Sequence, residues 1–199
     1  RAPDRARYWL IEALKRDPLD LEARLQLARL DRDLGSFDAA REDLKTLLAT
    51  NAAYAPARRE LALLALDAGD AVAARDELDA LLASDDNVDL DTLMNAARAH
   101  LLLGDGQGAE ERVVRAQKLP GAAQSAEELL DLRARALIAE HKAADAVAML
   151  RKTLPNALRG ETPALLMEAY LDLEQSERAT EVVRLAPPRA RLGIDLLVA

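Results

Sequence analysis

The sequence contains no cysteine and little aromatic surface. Without cysteine, disulfide bonds, thiolate metal sites and cysteine nucleophiles are excluded. Aromatic residues make up 3% of the 199 residues and hydrophobic residues 50%, so a core must be filled mainly by Leu, Ala and Val. This composition suits closely stacked helices, and runs with the period-two alternation of strands are hard to find.

Long apolar runs and net positive charge are also missing. No stretch approaches the ~18 apolar residues that a membrane-spanning helix needs, and no signal peptide is recognisable. The formal net charge is −8, which disfavours nonspecific binding to nucleic acid or anionic lipid because both are polyanions. We therefore expect no nucleic-acid partner and no membrane insertion of this segment.

What the sequence does contain is an internal repeat. A turn residue is followed five positions later by Ala and four positions further on by an aliphatic residue. The copies are Gly35-Ala40-Leu44, Gly69-Ala74-Leu78, Gly104-Ala109-Val113, His141-Ala146-Leu150 and Glu174-Ala179-Val183, with an earlier partial copy at Ala6 and Leu10. The alanine spacings are 34 (74−40), 35 (109−74), 37 (146−109) and 33 (179−146). A fixed period of this length indicates a repeat architecture.

Each mark of the repeat has a physical reason. Gly permits the left-handed backbone that ends a helix. A small residue lets two helices cross closely, and Pro separates one hairpin from the next. The period and these residues resemble the tetratricopeptide repeat, whose unit is a helix A, a tight turn and a helix B. Leu27-Ala28 and Leu61-Ala62 supply the helix A pair, the repeated alanines mark helix B, and Pro18 is the terminal proline.

The resemblance covers nearly the whole chain and implies an all-α, right-handed α-solenoid of about five repeats with partial repeats at both ends. The expected division of this single solenoid over 1–199 is a partial repeat 1–20, repeats 21–54, 55–89, 90–126, 127–159 and 160–188, and a partial repeat 189–199. The expected helix A/B pairs are 21–34/38–50, 55–68/72–84, 90–103/107–118, 127–140/144–154 and 162–173/177–186. Heavy use of Ala and Arg is typical of a bacterial array, and uncapped ends predict an excerpt of a longer one.

Several positions depart from the family pattern. His141 and Glu174 replace the turn glycine, so a different turn geometry is expected there. Arg133 stands where helix A normally has Leu, which predicts either a shifted register or a snorkelling side chain. The remaining departures are Met167 at a small-residue position, Asp31 where the family often has Tyr, and about three extra residues expected within 120–125.

The sequence offers no constellation for catalysis, metal binding or a cofactor, so we expect no enzyme. His100 and His141, the two histidines, are interpreted as a core and a turn residue. The Gly-rich segment 104–108 lies at a helix–helix turn without a preceding strand, so it is interpreted as a turn and not a phosphate loop. Tyr8 and Trp9 could stack on a sugar, but packing between hairpins is the expected role.

The resemblance also implies a concave groove lined by helix A residues. The residues predicted to bind a ligand there are Arg29, Arg32, Arg59, Leu63, Met94, Arg98 and Arg135. Arg29, Arg98 and Arg135 share one repeat position and Arg59 lies in the gap between the first two, so the four arginines could form a track for anionic groups. The alternative is that the arginines pair internally with neighbours such as Asp33, Asp67 or Asp131.

The predicted function is a protein-interaction scaffold that binds an extended peptide or partner protein, with acidic groups suggested by the arginines. The alternative is a periplasmic scaffold of a bacterial envelope machine, such as exopolysaccharide export or outer-membrane assembly. An exported polysaccharide would then be a ligand or neighbour, and the periplasm the compartment. An architecture by itself identifies neither partner.

Overall fold

The computed structural model describes residues 2–83, 88–153 and 162–185, and these ranges form eleven α-helices and no β-strand. The helices are α1 Ala2–Arg16, α2 Leu21–Asp33, α3 Phe37–Thr50, α4 Ala55–Asp67, α5 Ala71–Leu82, α6 Leu90–Leu102, α7 Gly106–Ala116, α8 Ala126–Ala139, α9 Ala143–Thr153, α10 Thr162–Asp172 and α11 Ser176–Leu185. The all-α class and the five A/B pairs are confirmed. The largest boundary differences are two residues, at 82 against 84 and 116 against 118. The helix expected over 189–199 lies outside the described residues.

The chain divides into two compact units, Arg1–Val88 and Asp89–Ala199. The N-terminal unit holds α1 to α5, and its core gathers buried leucines and alanines of α2, α3 and α4. The C-terminal unit holds α6 to α11, and one of its core clusters lies among α8 to α11. We call α2, α4, α6, α8 and α10 the A helices and α3, α5, α7, α9 and α11 the B helices. The expectation of one continuous solenoid stays a prediction.

All five hairpin turns have the same backbone geometry. Gly35, Gly69 and Gly104 are left-handed with φ of 73° to 74°, and His141 and Glu174 are left-handed too, each with φ of 58°. At every turn the next residue donates its N–H to a carbonyl five residues back, for example Asp70 N to Ala65 O at 2.8 Å and Gln175 N to Tyr170 O at 2.8 Å. This is the Schellman pattern of helix ends. The expectation of a different geometry at the non-glycine turns is therefore wrong.

Aspartate side chains fix the starts of several helices. The carboxylate of Asp20 accepts the N–H of Ala23, and Asp70, Asp89 and Asp105 accept the N–H three residues on in the same way. Capping by a side-chain oxygen satisfies a backbone donor that has no partner within the helix. The short turns and caps together set where each A helix ends and each B helix begins.

Small residues mark the crossing of A and B helices, as the repeat predicts. The five B-helix alanines are buried: Ala40, Ala74, Ala109, Ala146 and Ala179. Met167 is buried at the small-residue position of α10. Arg133 keeps the register of α8, because Ala134 beside it is fully buried, and its guanidinium reaches Glu110 of α7 at 3.2 Å. Arg133 therefore snorkels, and the register does not shift.

The N-terminal unit repeats one polar tie between helices at a spacing of one repeat. Arg24 of α2 donates to Asp43 of α3 at 2.9 Å and to the Pro18 carbonyl at 3.1 Å. Thirty-four residues later (58−24), Arg58 of α4 donates to Glu77 of α5 at 2.6 Å and to the Ala52 carbonyl at 3.1 Å. Each arginine thus joins the loop before its helix to the following B helix.

The extra residues of the third repeat lie where the spacing predicts. The connection between α7 and α8 runs over 117–125 and contains Gly121 with a φ of 91°. Backbone hydrogen bonds, such as Gln124 N to Gly121 O at 3.0 Å, order it as successive turns. The insertion therefore lengthens a loop and leaves the hairpins in phase.

Candidate functional site

Within each unit the A helices lie side by side and keep one face open to solvent. α2 contacts α4 in the N-terminal unit, and α8 contacts both α6 and α10 in the C-terminal unit. The other side of each A helix packs against its B helix. We call the exposed side the A-helix face of each unit. Six of the seven predicted ligand residues lie exposed or half-buried on their A helices: Arg29, Arg32, Arg59, Leu63, Arg98 and Arg135.

Met94 is the exception among the predicted residues. Its side chain is only 3% exposed on α6, so it packs into the core and offers no surface. The repeat position did not reveal this, because the same position is half-buried Arg59 in α4 and buried Leu25 in α2. A Met at an otherwise variable position is therefore a core residue in this hairpin.

A buried glutamate organises the A-helix face of the N-terminal unit. Glu60 of α4 is almost fully buried, and each of its carboxylate oxygens accepts one arginine of α2. Arg29 Nε donates to Oε1 at 2.6 Å, and Arg32 Nη1 donates to Oε2 at 2.6 Å. Arg32 also lies 3.4 Å from Asp33 and 3.9 Å from Asp67. The arginines therefore tie α2 to α4, and Glu60, more than the predicted aspartates, neutralises them.

Arg98 has a similar tie in the C-terminal unit. Its guanidinium pairs with Glu128 of α8 and donates to Asn95 Oδ1 at 2.5 Å. A second polar contact joins α8 to α10, where buried Thr162 donates to Asp131 Oδ1 at 3.0 Å. Arg135 is exposed on α8, C-terminal to both contacts. Arg29 and Arg98 thus pair internally, as the alternative predicts, but with glutamates of the neighbouring A helix and not with the aspartates it named.

Asp31 forms a buried ion pair at the position where the family often has Tyr. Its side chain is 2% exposed, and Arg7 of α1 donates to both oxygens, at 2.7 Å and 3.4 Å. The hydrogen bond to Asp31 raises the pKa of Arg7. The nearby carboxyl of Asp43 has a raised pKa because burial disfavours its charge, and Arg24 opposes that shift. These groups hold α1, α2 and α3 together.

His100 is a structural histidine at the end of α6. It is buried, and its Nδ1 lies 2.7 Å from Asp105 Oδ2, while Asp105 Oδ1 accepts the N–H of Gly108 at 2.8 Å. The Gly108 and His100 hydrogen bonds hold the pKa of Asp105 below its usual range, so the carboxylate accepts and His100 donates. This confirms His100 as a core residue and the Gly-rich segment 104–108 as a turn followed by a capped helix.

Tyr8 and Trp9 are placed differently from the expectation of packing between hairpins. Their side chains are 57% and 60% exposed on α1, and the rings meet edge to face with centroids 5.3 Å apart. Exposure of more than half of each residue differs from the expected packing between hairpins. The pair forms an aromatic surface open to solvent.

Within residues 2–83, 88–153 and 162–185, no group of three or more His, Cys, Asp or Glu side chains is arranged to hold a metal ion. None of the helices described is both long and apolar enough to cross a bilayer.

Comparison with solved structures identifies the architecture. The chain superimposes on YrrB, described as a TPR protein with an unusual peptide-binding site, with a TM-score of 0.71, 16% identity and coverage of 94% of this chain and 97% of that one. This chain has the tetratricopeptide-repeat fold. Other tetratricopeptide-repeat structures are similar at comparable TM-scores. MamA gives a TM-score of 0.70 at 16% identity, over 83% of this chain and 89% of MamA. PilW, described as a type IV pilus biogenesis factor, gives a TM-score of 0.69 at 20% identity, over 88% of this chain and 80% of PilW.

The likeness to these tetratricopeptide-repeat proteins is one of fold. A scan against protein-family models finds no match, and neither does a sequence comparison with curated proteins.

Sequence reasoning missed Glu60, although it lies 31 residues after Arg29 (60−29), close to one repeat length. Leu102 and Leu171 lie at helix A positions that the repeat predicts to line the groove, but they were not among the predicted ligand residues, and they are 62% and 49% exposed. Their signal was an apolar residue at the outer end of a helix A, where a solvated helix usually carries a polar one.

Proposed function

We propose that the chain is a scaffold that binds a segment of a partner protein along its A-helix faces. The supporting observation is that adjacent A helices combine exposed apolar, acidic and basic side chains on one side, while their opposite side packs against the B helices. A partner segment lying across such helices contacts several repeats at once. The peptide-binding site described for YrrB supports the same class of function.

Site-specific photo-crosslinking tests this proposal. A photo-reactive amino acid replaces Leu63 on the A-helix face of α4 and, as the matched control, Lys45 on the solvated side of α3. In cells of the source organism we expect one partner segment to crosslink at position 63 and not at 45, with the site mapped by mass spectrometry. Equal crosslinking at both positions would contradict the proposal.

We further propose that the partner carries an acidic group, which binds the A-helix face of the N-terminal unit. The A helices of that unit present Arg29, Arg32 and Arg59, and an anion could use guanidinium donors that Glu60 does not occupy. The test compares Arg32→Gln with Arg41→Gln, whose arginine pairs with exposed Asp38 on α3. Weaker binding of a Glu-rich peptide to Arg32→Gln alone supports acidic recognition, and equal binding opposes it.

A polysaccharide-facing envelope scaffold is the second candidate, and the exposed Tyr8–Trp9 pair favours it. Aromatic rings open to solvent can stack on sugar rings, and Trp9 is the single tryptophan of the chain. Titration with an acidic polysaccharide such as alginate should therefore quench tryptophan fluorescence, and Tyr8→Ala should weaken the effect. No change in fluorescence or in sedimentation with the polysaccharide would remove this candidate. Fractionation of source cells tests the periplasmic location separately.

A further inference from the structure

The A-helix face of the C-terminal unit is acidic. α6, α8 and α10 carry three arginines, and one of them, Arg133, is directed to Glu110 of α7. Against these stand six carboxylates, all exposed or half-buried: Asp91, Glu127, Glu128, Asp131, Glu168 and Asp172. Arg98 is held by Glu128 and Asn95. An anionic partner would therefore meet net repulsion here, whereas a cationic partner would be attracted.

The same face has an apolar edge. The last turns of the three helices carry Leu102 on α6, Ile138 on α8 and Leu171 on α10. Leu102 and Leu171 are largely exposed, and half-buried Ile138 packs against the core between them. The three last turns lie at the same end of the unit, because each of these A helices ends in a left-handed hairpin turn that sends the chain back along its B helix. Two exposed leucines at one end of three packed helices, with an isoleucine between them, mark an interaction site better than an isolated leucine does.

The A-helix face of the C-terminal unit is wide enough for a short partner helix to lie across α6, α8 and α10. Neighbouring packed helices are about 8–10 Å apart, so α6 and α10 lie about 20 Å apart. A partner helix of about 14 residues covers that distance at 1.5 Å per residue. Its apolar side would contact the leucine edge, while basic residues on its flank would lie over the carboxylates nearer the helix starts.

We propose that the A-helix face of the C-terminal unit binds a basic amphipathic helix of a partner protein, with Leu102, Ile138 and Leu171 contacting its apolar side. This proposal rests on the proposed scaffold function and adds the chemistry of the partner. It differs from the acidic partner suggested by the arginines, because Glu128 already neutralises Arg98.

Fluorescence anisotropy with designed peptides tests the proposal on the full chain. The probe is a labelled 18-residue helix of Leu, Ala and Lys with all Leu on one side. A matched peptide has Glu at every Lys position. We expect the Lys peptide to bind with a Kd at least about tenfold lower than that of the Glu peptide, and added salt to reduce the difference.

Variants that change no charge distinguish binding at this face from a general attraction of the basic peptide to an acidic protein. Leu102→Gln with Leu171→Gln should raise the Kd of the Lys peptide about tenfold, because two apolar contacts are lost. Leu34→Gln with Val72→Gln, two exposed apolar residues of the N-terminal unit, is the matched control and should leave the Kd unchanged. Equal effects of both pairs would overturn the assignment.

The remaining outcomes distinguish this inference from the scaffold proposal. Preferential binding of the Glu peptide, lost in the Leu102/Leu171 variant, would overturn the basic partner while supporting a binding face. Light scattering could show instead that the chain is a dimer and that the Leu102/Leu171 variant is a monomer. That result would mean that the face binds a second copy of the chain, and it would overturn the proposal. Failure of both peptides to bind would overturn the inference, whereas the photo-crosslinking result decides the scaffold function independently.

Discussion

At the scale of single residues, the left-handed turn position shows how one backbone angle recurs with different side chains. Glycine reaches this conformation without strain, whereas other residues pay about 1–2 kcal/mol to adopt it. His141 and Glu174 adopt it nevertheless, each with a φ of 58°. The packed helices on either side and the hydrogen bonds across the turn impose the conformation there.

Substitution at these turns should change stability in opposite directions. Glu174→Gly should stabilise the protein by about 0.5–1 kcal/mol, because it removes left-handed strain. Gly69→Ala should destabilise it by about 1 kcal/mol through the backbone alone, since no atom lies within 4 Å of the added methyl. Urea unfolding measures both. Glu181→Gly, an exposed position inside α11, is the control and should destabilise. Stabilisation by Gly at both positions would contradict the argument.

The Asp105 carboxylate should make a pH-dependent contribution to stability. It caps α7 and accepts from buried His100, so Asp105→Ala should cost about 2 kcal/mol at pH 7. The folded-state pKa of Asp105 is lowered, so this contribution is complete above the ordinary carboxyl pKa of about 3.9 and is lost as pH falls through the lowered value. Thermal unfolding of both proteins from pH 7 to pH 2 should show a stability difference that shrinks as pH falls below the ordinary carboxyl pKa. A difference that stays the same down to pH 2 would show that the carboxylate charge contributes nothing.

At the scale of helices, ion pairs between neighbouring A helices accompany the apolar core. Glu60→Gln should destabilise the protein by about 2–3 kcal/mol, because Arg29 and Arg32 lose a common buried partner. Glu42→Gln is the control, since that carboxylate is largely exposed and pairs only with Lys45, and it should change stability by less than about 0.5 kcal/mol. If denaturant unfolding gives equally small losses of stability for Glu60→Gln and Glu42→Gln, Glu60 does not hold α2 and α4 together.

The start of α7 approaches α8 closely enough to require glycine. A methyl group on Gly106 would lie 2.5 Å from the Ala136 carbonyl oxygen and 2.7 Å from Glu140 Cγ. Gly106→Ala should therefore push α7 from α8 and cost about 2 kcal/mol. The melting temperature should fall further than for Gly69→Ala, which adds the same methyl in open space. A reversed order of the two variants would contradict this packing.

At the scale of the whole molecule, the two units each have a core of their own. We expect fragments 1–88 and 89–199 to fold separately, because repeat structures depend on contacts between neighbouring elements. Circular dichroism should show that the helical signals of the fragments add to that of the full chain. Unfolded fragments would instead support one continuous cooperative solenoid over 1–199.

The sequence by itself determined the helices, their turns and their phase. The spacing of Ala40, Ala74 and Ala109 was sufficient because a helix crossing tolerates only a small side chain, which is a local requirement repeated in every hairpin. Arg133, in place of the usual Leu beside the small residue of helix A, did not alter the register. The seven predicted ligand residues were placed on the correct helices for the same reason.

Only the tertiary structure decided which of those residues offer a surface. Burial of Met94 and the partners of Arg29 and Arg98 depend on the neighbouring helix, which lies about one repeat away in sequence. The same holds for His141 and Glu174, whose left-handed backbone is imposed by packing against their own preference. The exposure of a side chain and the charge it pairs with depend on how neighbouring helices pack. A repeat pattern specifies the helices, but it does not specify which side chains meet between them.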